Sequence, residues 1–268
     1  MMGIVSHMTR VSLMRIAMGL VAVVMHGCAS LPPGSVRDPG DPFERYNRAA
    51  FSFNDAVDRA VLKPVAQAYE AVTPSFLRQA VGNFFDNLSD VSTVANDLLQ
   101  GKPKMAATHT GRLAVNSTFG LLGLIDVATP MGLERQREDF GQTLGVWGFE
   151  SGPYLVLPLL GPSSIRDTAG LSVDFATDPV FHMDDRGARA ATAGLRAVNG
   201  RSRLLGAEKT LKEIAFDPYL FTRDAYLTRR RSAVHDGDPP ERKEKRPQRE
   251  ADEEREEQAR SALPSRTP

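Results

Sequence analysis

Two histidines hold what acid–base capacity the body of this chain has. His109 sits among Thr108, Thr110 and Arg112, and His182 precedes Met183-Asp184-Asp185. An imidazole that titrates near neutrality serves as a general base or as a metal ligand. For hydrolysis His109 would need a nucleophile, and the sequence has no Gly-x-Ser-x-Gly elbow. For metal binding His182 and its two aspartates are suitable donors, but ligand spacings of this kind are common by chance. No His-Glu-x-x-His run, paired-cysteine knuckle, phosphate-binding loop or dinucleotide glycine fingerprint is present. No catalytic residue, metal or cofactor is therefore expected. The 33 Lys+Arg residues balance 33 Asp+Glu. That neutrality argues against a nucleic-acid binder, which needs a basic excess to neutralise phosphates.

Cys28 is the single cysteine of the 268 residues, which excludes a disulfide framework within the chain and a cysteine-based metal cluster. Arg10 and Arg15 make a basic leader, and Ile16 to Met25 is an uncharged apolar run. A spanning helix needs about 20 apolar residues, so residues 1–27 read as a signal peptide rather than a membrane or core helix. Gly27-Cys28 resembles a bacterial lipoprotein signal, in which the cysteine becomes the lipidated first residue. Met25 and His26 depart from the aliphatic and small residues preferred there, and the rival is ordinary secretion with a free thiol. Ala29 in place of Asp implies the outer rather than the inner membrane. Acyl chains contribute ~0.8 kcal/mol per buried CH₂, and stable anchoring takes more than one chain.

The elements that must position any site lie between this leader and a charged end. Residues 28–40 read as the lipidated N-terminus and a linker. The stretch 229–268 holds 21 charged residues in 40 and no aromatic, too little apolar area to offset its ordering entropy. Residues 231–268 are thus taken as a charged, disordered tail. The body, 41–230, reads as helices broken by Gly and Pro. Asp41-Pro42-Phe43-Glu44 has the form of a helix start with Asp41 as N-cap, and Phe43, Tyr46, Ala50, Phe53 and Val57 share one face. Further helices are expected from Lys63-Pro64, from Thr73-Pro74, over Leu88–Gln100, and from Lys102-Pro103 to about Phe119. Others follow over Ser163–Phe175, Ala188–Leu205, Ala207–Ala215 and Asp217–Arg230. Between them, about 119–162 is apolar and glycine-rich, and Pro158 makes its YLVLPLL run a poor central strand. That middle is either a hydrophobic core segment or an apolar surface set against a bilayer. The fold class is mainly α.

Seven segments then point one way. They are DPFERYNRAAFSFND (41–55), KPVAQAYEAVTP (63–74), VGNFFDNLSD (81–90), NDLLQGKP (96–103), RLAVNSTFGLLGLIDVA (112–128), EDFGQTLGVWGFESGPYLVLPLLGPSSIRD (138–167) and DPYLFTRDAYLTRR (217–230). In order and spacing they resemble the MlaA (VacJ) family of outer-membrane phospholipid-transport lipoproteins. The resemblance implies a ring-like helical body embedded in one membrane leaflet, with a central amphipathic channel. It implies an outer-membrane protein on the periplasmic face, lipid-anchored through Cys28. Such a protein removes misplaced phospholipids from the outer leaflet and passes them to a periplasmic lipid carrier protein for retrograde transport. An outer-membrane porin trimer is the implied neighbour, and no reaction, nucleotide or cofactor is implied. Carried over by position, Phe51, Phe53 and Asn54 are candidate gate residues, with core packing as the alternative. Asn116, Gly120, Gly123 and Asp126 are candidate channel or hinge residues, with capping and packing as the alternative.

The chemistry of the cargo agrees with this. A head group is costly to leave unsolvated in hydrocarbon, and acyl chains are costly to expose to water. Residues 108–119 mix the two kinds of surface: Leu113, Val115 and Phe119 beside Arg112, Asn116 and Ser117. Two rival functions stand beside the transporter: a structural outer-membrane lipoprotein scaffold, and a membrane-anchored phospholipase acting through His109.

Overall fold

The computed structural model describes residues 40–240, without the side chains of 209–214. The leader 1–27, Cys28, the linker up to residue 39 and the tail beyond residue 240 lie outside the described residues. The described part is mainly helical with one small hairpin.

Helix α1 (Glu44–Val57), a π-helical turn (Asp58–Leu62) and α2 (Lys63–Val72) follow without a break, where the sequence suggests a separate start at Lys63-Pro64. A proline inside a helix donates no hydrogen bond and crowds the carbonyl four residues back. The wider π winding just before Pro64 takes up that defect. Asp41 does not cap α1. The cap position falls at Phe43 with no side-chain bond. The Asp41 carboxylate instead accepts Asn47 Nδ2 at 2.9 Å and the hydroxyl of Tyr219.

Helix α3 (Ser75–Leu99) is continuous where two helices are expected. Its polar stretch at Asp86, Asn87 and Asp90 looks like a break, but these side chains meet partners on other elements and the backbone runs on. Gly101, at φ +73, turns the chain into α4 (Pro103–Thr118), which packs back along α3. A long loop with a 3₁₀ turn (Thr129–Met131) leads to the short α5 (Phe140–Val146), capped by Asp139. The YLVLPLL run supplies β1 (Tyr154–Leu157), paired antiparallel with β2 (Gly161–Ser164), Tyr154 opposite Ser164 and Leu157 opposite Gly161. Pro158 lies in the connecting turn, where no ladder N–H is required. Helix α6 (Ile165–Thr177) is capped by Ser164, and a 3₁₀ turn (Pro179–His182) precedes α7 (Arg186–Ile214). α7 is again one helix where two are expected, because a glycine such as Gly206 weakens a helix without ending it.

The last helix, α8 (Pro218–Val234), is capped by Asp217 and runs past Arg230 to a turn at Gly237, φ +91. Asp236 just beyond it accepts from Lys102 Nζ and from Gln136 Nε2. Residues 231–237 therefore belong to the folded body, and the boundary drawn at 231 is corrected: the basic run there hides a helix end whose partners are distant in sequence.

The buried apolar cluster is small. Ala50, Tyr154, Val156 and Tyr219 form it, with Phe51, Tyr226 and Leu227 packed against it, so it joins α1, the hairpin and α8. Helices α5 and α6 approach most closely at two glycines: a Cβ on Gly170 would lie 2.5 Å from Gly141 N. Gly170→Ala is expected to destabilise the protein by about 2 kcal/mol through overpacking, read as a lower unfolding temperature in detergent micelles. An unchanged unfolding temperature would show that this crossing is slack.

Candidate functional site

The helices of this body bury polar faces. Along α3, Asp86, Asp90, Thr93 and Asp97 recur at helical spacing, with Asp90, Thr93 and Asp97 buried. α4 opposes them with buried His109, Arg112 and Asn116. The large apolar side chains point the other way. Phe119 is 72% exposed and Leu122 70%, and Leu98, Leu99, Leu121, Ile125, Trp147, Phe149, Leu159 and Leu160 are exposed with them. A helix of a water-soluble protein normally turns its apolar stripe inward. Extended exposed apolar surface marks a contact with protein or lipid.

Arg112 sits at the centre of the polar interior, 2% exposed. Its Nη1 donates to the Thr129 hydroxyl at 3.0 Å and to the Leu133 carbonyl. Nη2 lies 3.3 Å from both Asp126 oxygens, and Nε faces Asp90 Oδ2 at 3.8 Å as an ion pair. Asp126 also accepts the Thr129 N–H and hydroxyl and Asn116 Nδ2. Burial pushes the Asp126 carboxyl up, but the bonds from Thr129 and Asn116 and the charge of Arg112 outweigh it and bring the pKa to about 2. Asn116 Oδ1 accepts the N–H groups of Val127 and Ala128, both at 2.9 Å.

Two glycines complete this knot. A Cβ on Gly120 would come within 2.1 Å of the Ile125 carbonyl, and Gly123, at φ +88, lies against Asn87. Asn116, Gly120, Gly123 and Asp126 thus come together at the base of one loop. Leu121 and Leu122 within it have φ of +53 and +59, left-handed backbone that apolar residues rarely adopt. The knot holds the loop in this form with its apolar side chains outward.

Phe51, Phe53 and Asn54 are elsewhere. Phe51 packs edge-on against Tyr219, ring centroids 5.8 Å apart, in the apolar cluster, and Phe53 is half-buried on α1. Asn54 donates to the Leu157 carbonyl at 2.9 Å and accepts the Leu159 N–H at 2.7 Å. Asn47, two turns earlier, does the same with the Tyr154 carbonyl at 3.0 Å and the Val156 N–H at 2.8 Å. The two amides take the place of a third strand along the open edge of β1, and Asn54 fixes the turn that carries exposed Leu159 and Leu160. Asn47 was legible only as an asparagine seven residues before Asn54 on the same helical face. Cys28 is outside the described residues.

His109 is fully buried, with Nδ1 2.6 Å from Asp97 Oδ2, and its Nε2 accepts the Gln136 N–H at 3.2 Å. An acceptor role at Nε2 assigns the ring proton to Nδ1, facing Asp97. Both nitrogens are engaged, so the imidazole ties α3 and α4 to the following loop. His182 turns Nδ1 to the Asp178 carbonyl. Among the described residues, no group of three His, Cys, Asp or Glu side chains is placed to hold a metal ion, and no helix is long and apolar enough to cross a membrane.

A second ionic lock, unforeseen in the sequence, fastens α8. Arg230 reaches both oxygens of Asp139 and both of Asp167, and the Tyr226 hydroxyl donates to Asp167. Asp174 stands near these carboxylates and accepts the Phe140 N–H at 2.9 Å. Burial and the charge of Asp139 push its carboxyl up to about 6. At the other end of the polar seam Asp86 receives Arg135, Arg137 and Arg203. It borders a cleft of about 600 Å³ lined by Arg78, Gln79, Asn83 and Ser202.

Arg112→Met would remove the cation shared by partly exposed Asp126 and by buried Asp90, which keeps only Arg135, at an expected cost of about 3 kcal/mol in denaturant unfolding. A loss below 1 kcal/mol would mean that the pair is easily resolvated. For Asp174 the folded pKa lies above the unfolded value, so its contribution is fully present below pH ~4 and is lost as pH rises through ~6. Asp174→Asn keeps the acceptor for Phe140 without the charge. It should match the parent near pH 4 and exceed it by about 2 kcal/mol above pH 7; a pH-independent difference would contradict this.

Comparison with known proteins adds the following. The family profile described as "MlaA lipoprotein" matches residues 39–233. The intermembrane phospholipid transport system lipoprotein MlaA of Haemophilus influenzae is 33% identical over 85% of this chain and 93% of its own length. That of Escherichia coli K12 is 32% identical over 80% and 85%. A solved structure from work on the structural basis for maintenance of bacterial outer membrane lipid asymmetry superposes with a TM-score of 0.65 at 32% identity, covering 74% of this chain and 100% of its own.

Proposed function

The chain belongs to the MlaA lipoprotein family, and we propose from that premise that it draws misplaced phospholipids out of the outer leaflet of the outer membrane and passes them towards the periplasm. Its function is intermembrane phospholipid transport in the maintenance of lipid asymmetry. The observation that carries the reading is the reversed distribution of polarity: an ionic interior beneath exposed Phe119, Leu122, Trp147 and Leu159.

The two halves of a phospholipid need opposite surroundings, and this body offers both. Its apolar exterior suits acyl chains, where burial contributes ~25 cal/mol per Å². Trp147 suits the head-group level, its ring half-exposed and its Nε1 bonded to the Leu99 carbonyl at 3.0 Å. Its interior lines a polar route for the head group. Acyl chains on Cys28 hold the protein at the inner leaflet of the outer membrane, a porin trimer flanks it, and a periplasmic carrier receives the lipid. Passage is passive, because a channel supplies no energy, and partners set its direction. The gate lies where apolar turns are pinned by polar residues: the hairpin turn under Asn54 and the loop over Asn116 and Asp126. Catalysis has no part in this reading, since both nitrogens of His109 are taken.

Deleting the gene should raise the phospholipid accessible to exogenous phospholipase on intact cells severalfold, with restoration by the full chain. A deletion without effect on surface phospholipid would sink the transport reading and favour a scaffold. Cys28→Ala should release the protein from the membrane and fail to restore; a released protein that still restores would be a soluble carrier.

A further inference from the structure

We propose that Arg137 and Arg203, set against the two oxygens of the Asp86 carboxylate, form a binding site for the phosphate of a lipid head group. The inference rests on the transport reading above and names the part of the polar route that holds the cargo.

Charge bookkeeping at the seam leaves a cation over. Arg112 is matched by Asp126 at 3.3 Å and Arg135 by Asp90 at 2.8 Å. Arg196, the next guanidinium along, is paired with Asp178. Asp86 is then shared by Arg137, which meets Oδ1 at 2.5 Å, and Arg203, which meets Oδ2 at 3.3 Å. One carboxylate faces two guanidiniums, with Arg135 2.9 Å away as a third.

The excess lies where a ligand can reach it. The side chains of Arg137 and Arg203 are 58% and 44% exposed, while Asp86 between them is 24% and Arg135 17% exposed. Among the described residues each makes one hydrogen bond, to Asp86, out of the five N–H groups a guanidinium carries. Arg137 is the more open of the two, while Arg203 lays Nη2 and Nε against buried Gly82. Paired guanidiniums are the side chains best matched to a tetrahedral oxyanion, because the planar fork binds two oxygens at once. Desolvation beside the cluster and the charges of Arg135 and Arg196 lower the pKa of Arg137 against the raising pull of Asp86; a bound anion relieves that repulsion.

The setting fits a lipid rather than a free ion. Arg203 and Asp86 border the cleft of about 600 Å³, and exposed Phe76, Leu77 and Leu204 adjoin its lining residues along the chain. The backbone makes room for Arg203 at Gly82, where a Cβ would fall 1.3 Å from Arg203 Nη2. Gly82→Ala thus moves the guanidinium away without changing the net charge.

The test titrates the full chain in neutral detergent with a short-chain phosphatidylglycerol, with the diacylglycerol of the same acyl chains, and with inorganic phosphate. The phospholipid should bind more tightly than the other two. Arg137→Gln with Arg203→Gln should weaken it about tenfold, the loss of roughly one charge-assisted contact. Gly82→Ala should weaken it in the same sense, and Asp86→Asn, which removes the internal competitor, should tighten it. Circular dichroism confirms that each variant is folded. Parental affinity in the double arginine variant, weaker binding in Asp86→Asn, or equal binding of the diacylglycerol would each overturn the site. Equal affinity for inorganic phosphate would overturn the lipid assignment in favour of a free-anion site. If the site fails while gene deletion still exposes surface phospholipid, this inference falls alone; if the deletion is also silent, the transport reading falls with it.

Discussion

A guanidinium withdrawn from water has to meet enough acceptors to offset its lost hydration, and Arg112 is the residue around which that demand organises this fold. Isolated charges cost several kcal/mol to bury, and mutual pairing compensates only when geometry is good. Arg112 draws in Asp90 from α3, Asp126 and Thr129 from the loop and the Leu133 carbonyl beyond it. Asp90 in turn holds Arg135, which reaches Asp86. The α3–α4 pair is therefore joined through charges where most helical pairs are joined through leucines. With the interior given to ions, the apolar side chains of the same helices have nowhere to go but out.

That exchange accounts for the features around it. The loop after α4 is tied at its base by Asn116 and Asp126, so Leu121 and Leu122 are held in left-handed backbone at the surface. The hairpin has only two strands, too few to stand alone in water, and the amides of Asn47 and Asn54 supply what a third strand would. Each apolar projection thus stands on a polar foot. Such an arrangement is unfavourable in water and favourable beside hydrocarbon, where exposed leucine is solvated by like and the ions stay sheltered within.

The ends of the body are placed by the same means. Asp41 is bound to Asn47 on α1 and to the Tyr219 hydroxyl on α8, while Arg230 fastens α8 to Asp139 and Asp167. First and last helices are locked to the hairpin side of the body. Cys28 is 13 residues before Asp41; at about 3.5 Å per extended residue, a lipidated cysteine would let the body stand up to roughly 45 Å from its anchor.

The sequence by itself determined the helical class, the punctuation at Thr73-Pro74, Lys102-Pro103 and Asp217-Pro218, and the family, because proline, glycine and N-cap signals act within a few residues. Asn116, Gly120, Gly123 and Asp126 meet at one loop base because they lie within eleven residues, with Asn116 bonded to Asp126. Only the tertiary structure decided where Asp41 points, that α3 and α7 each run unbroken, that α8 passes Arg230, and that Phe51 packs on Tyr219 while Asn54 holds a hairpin turn. Partners such as Asp41 and Tyr219 are 178 residues apart. Periodicity shows that a helix has two faces. Which face is inside depends on whether distant charges find each other, and that is fixed only when the helices meet.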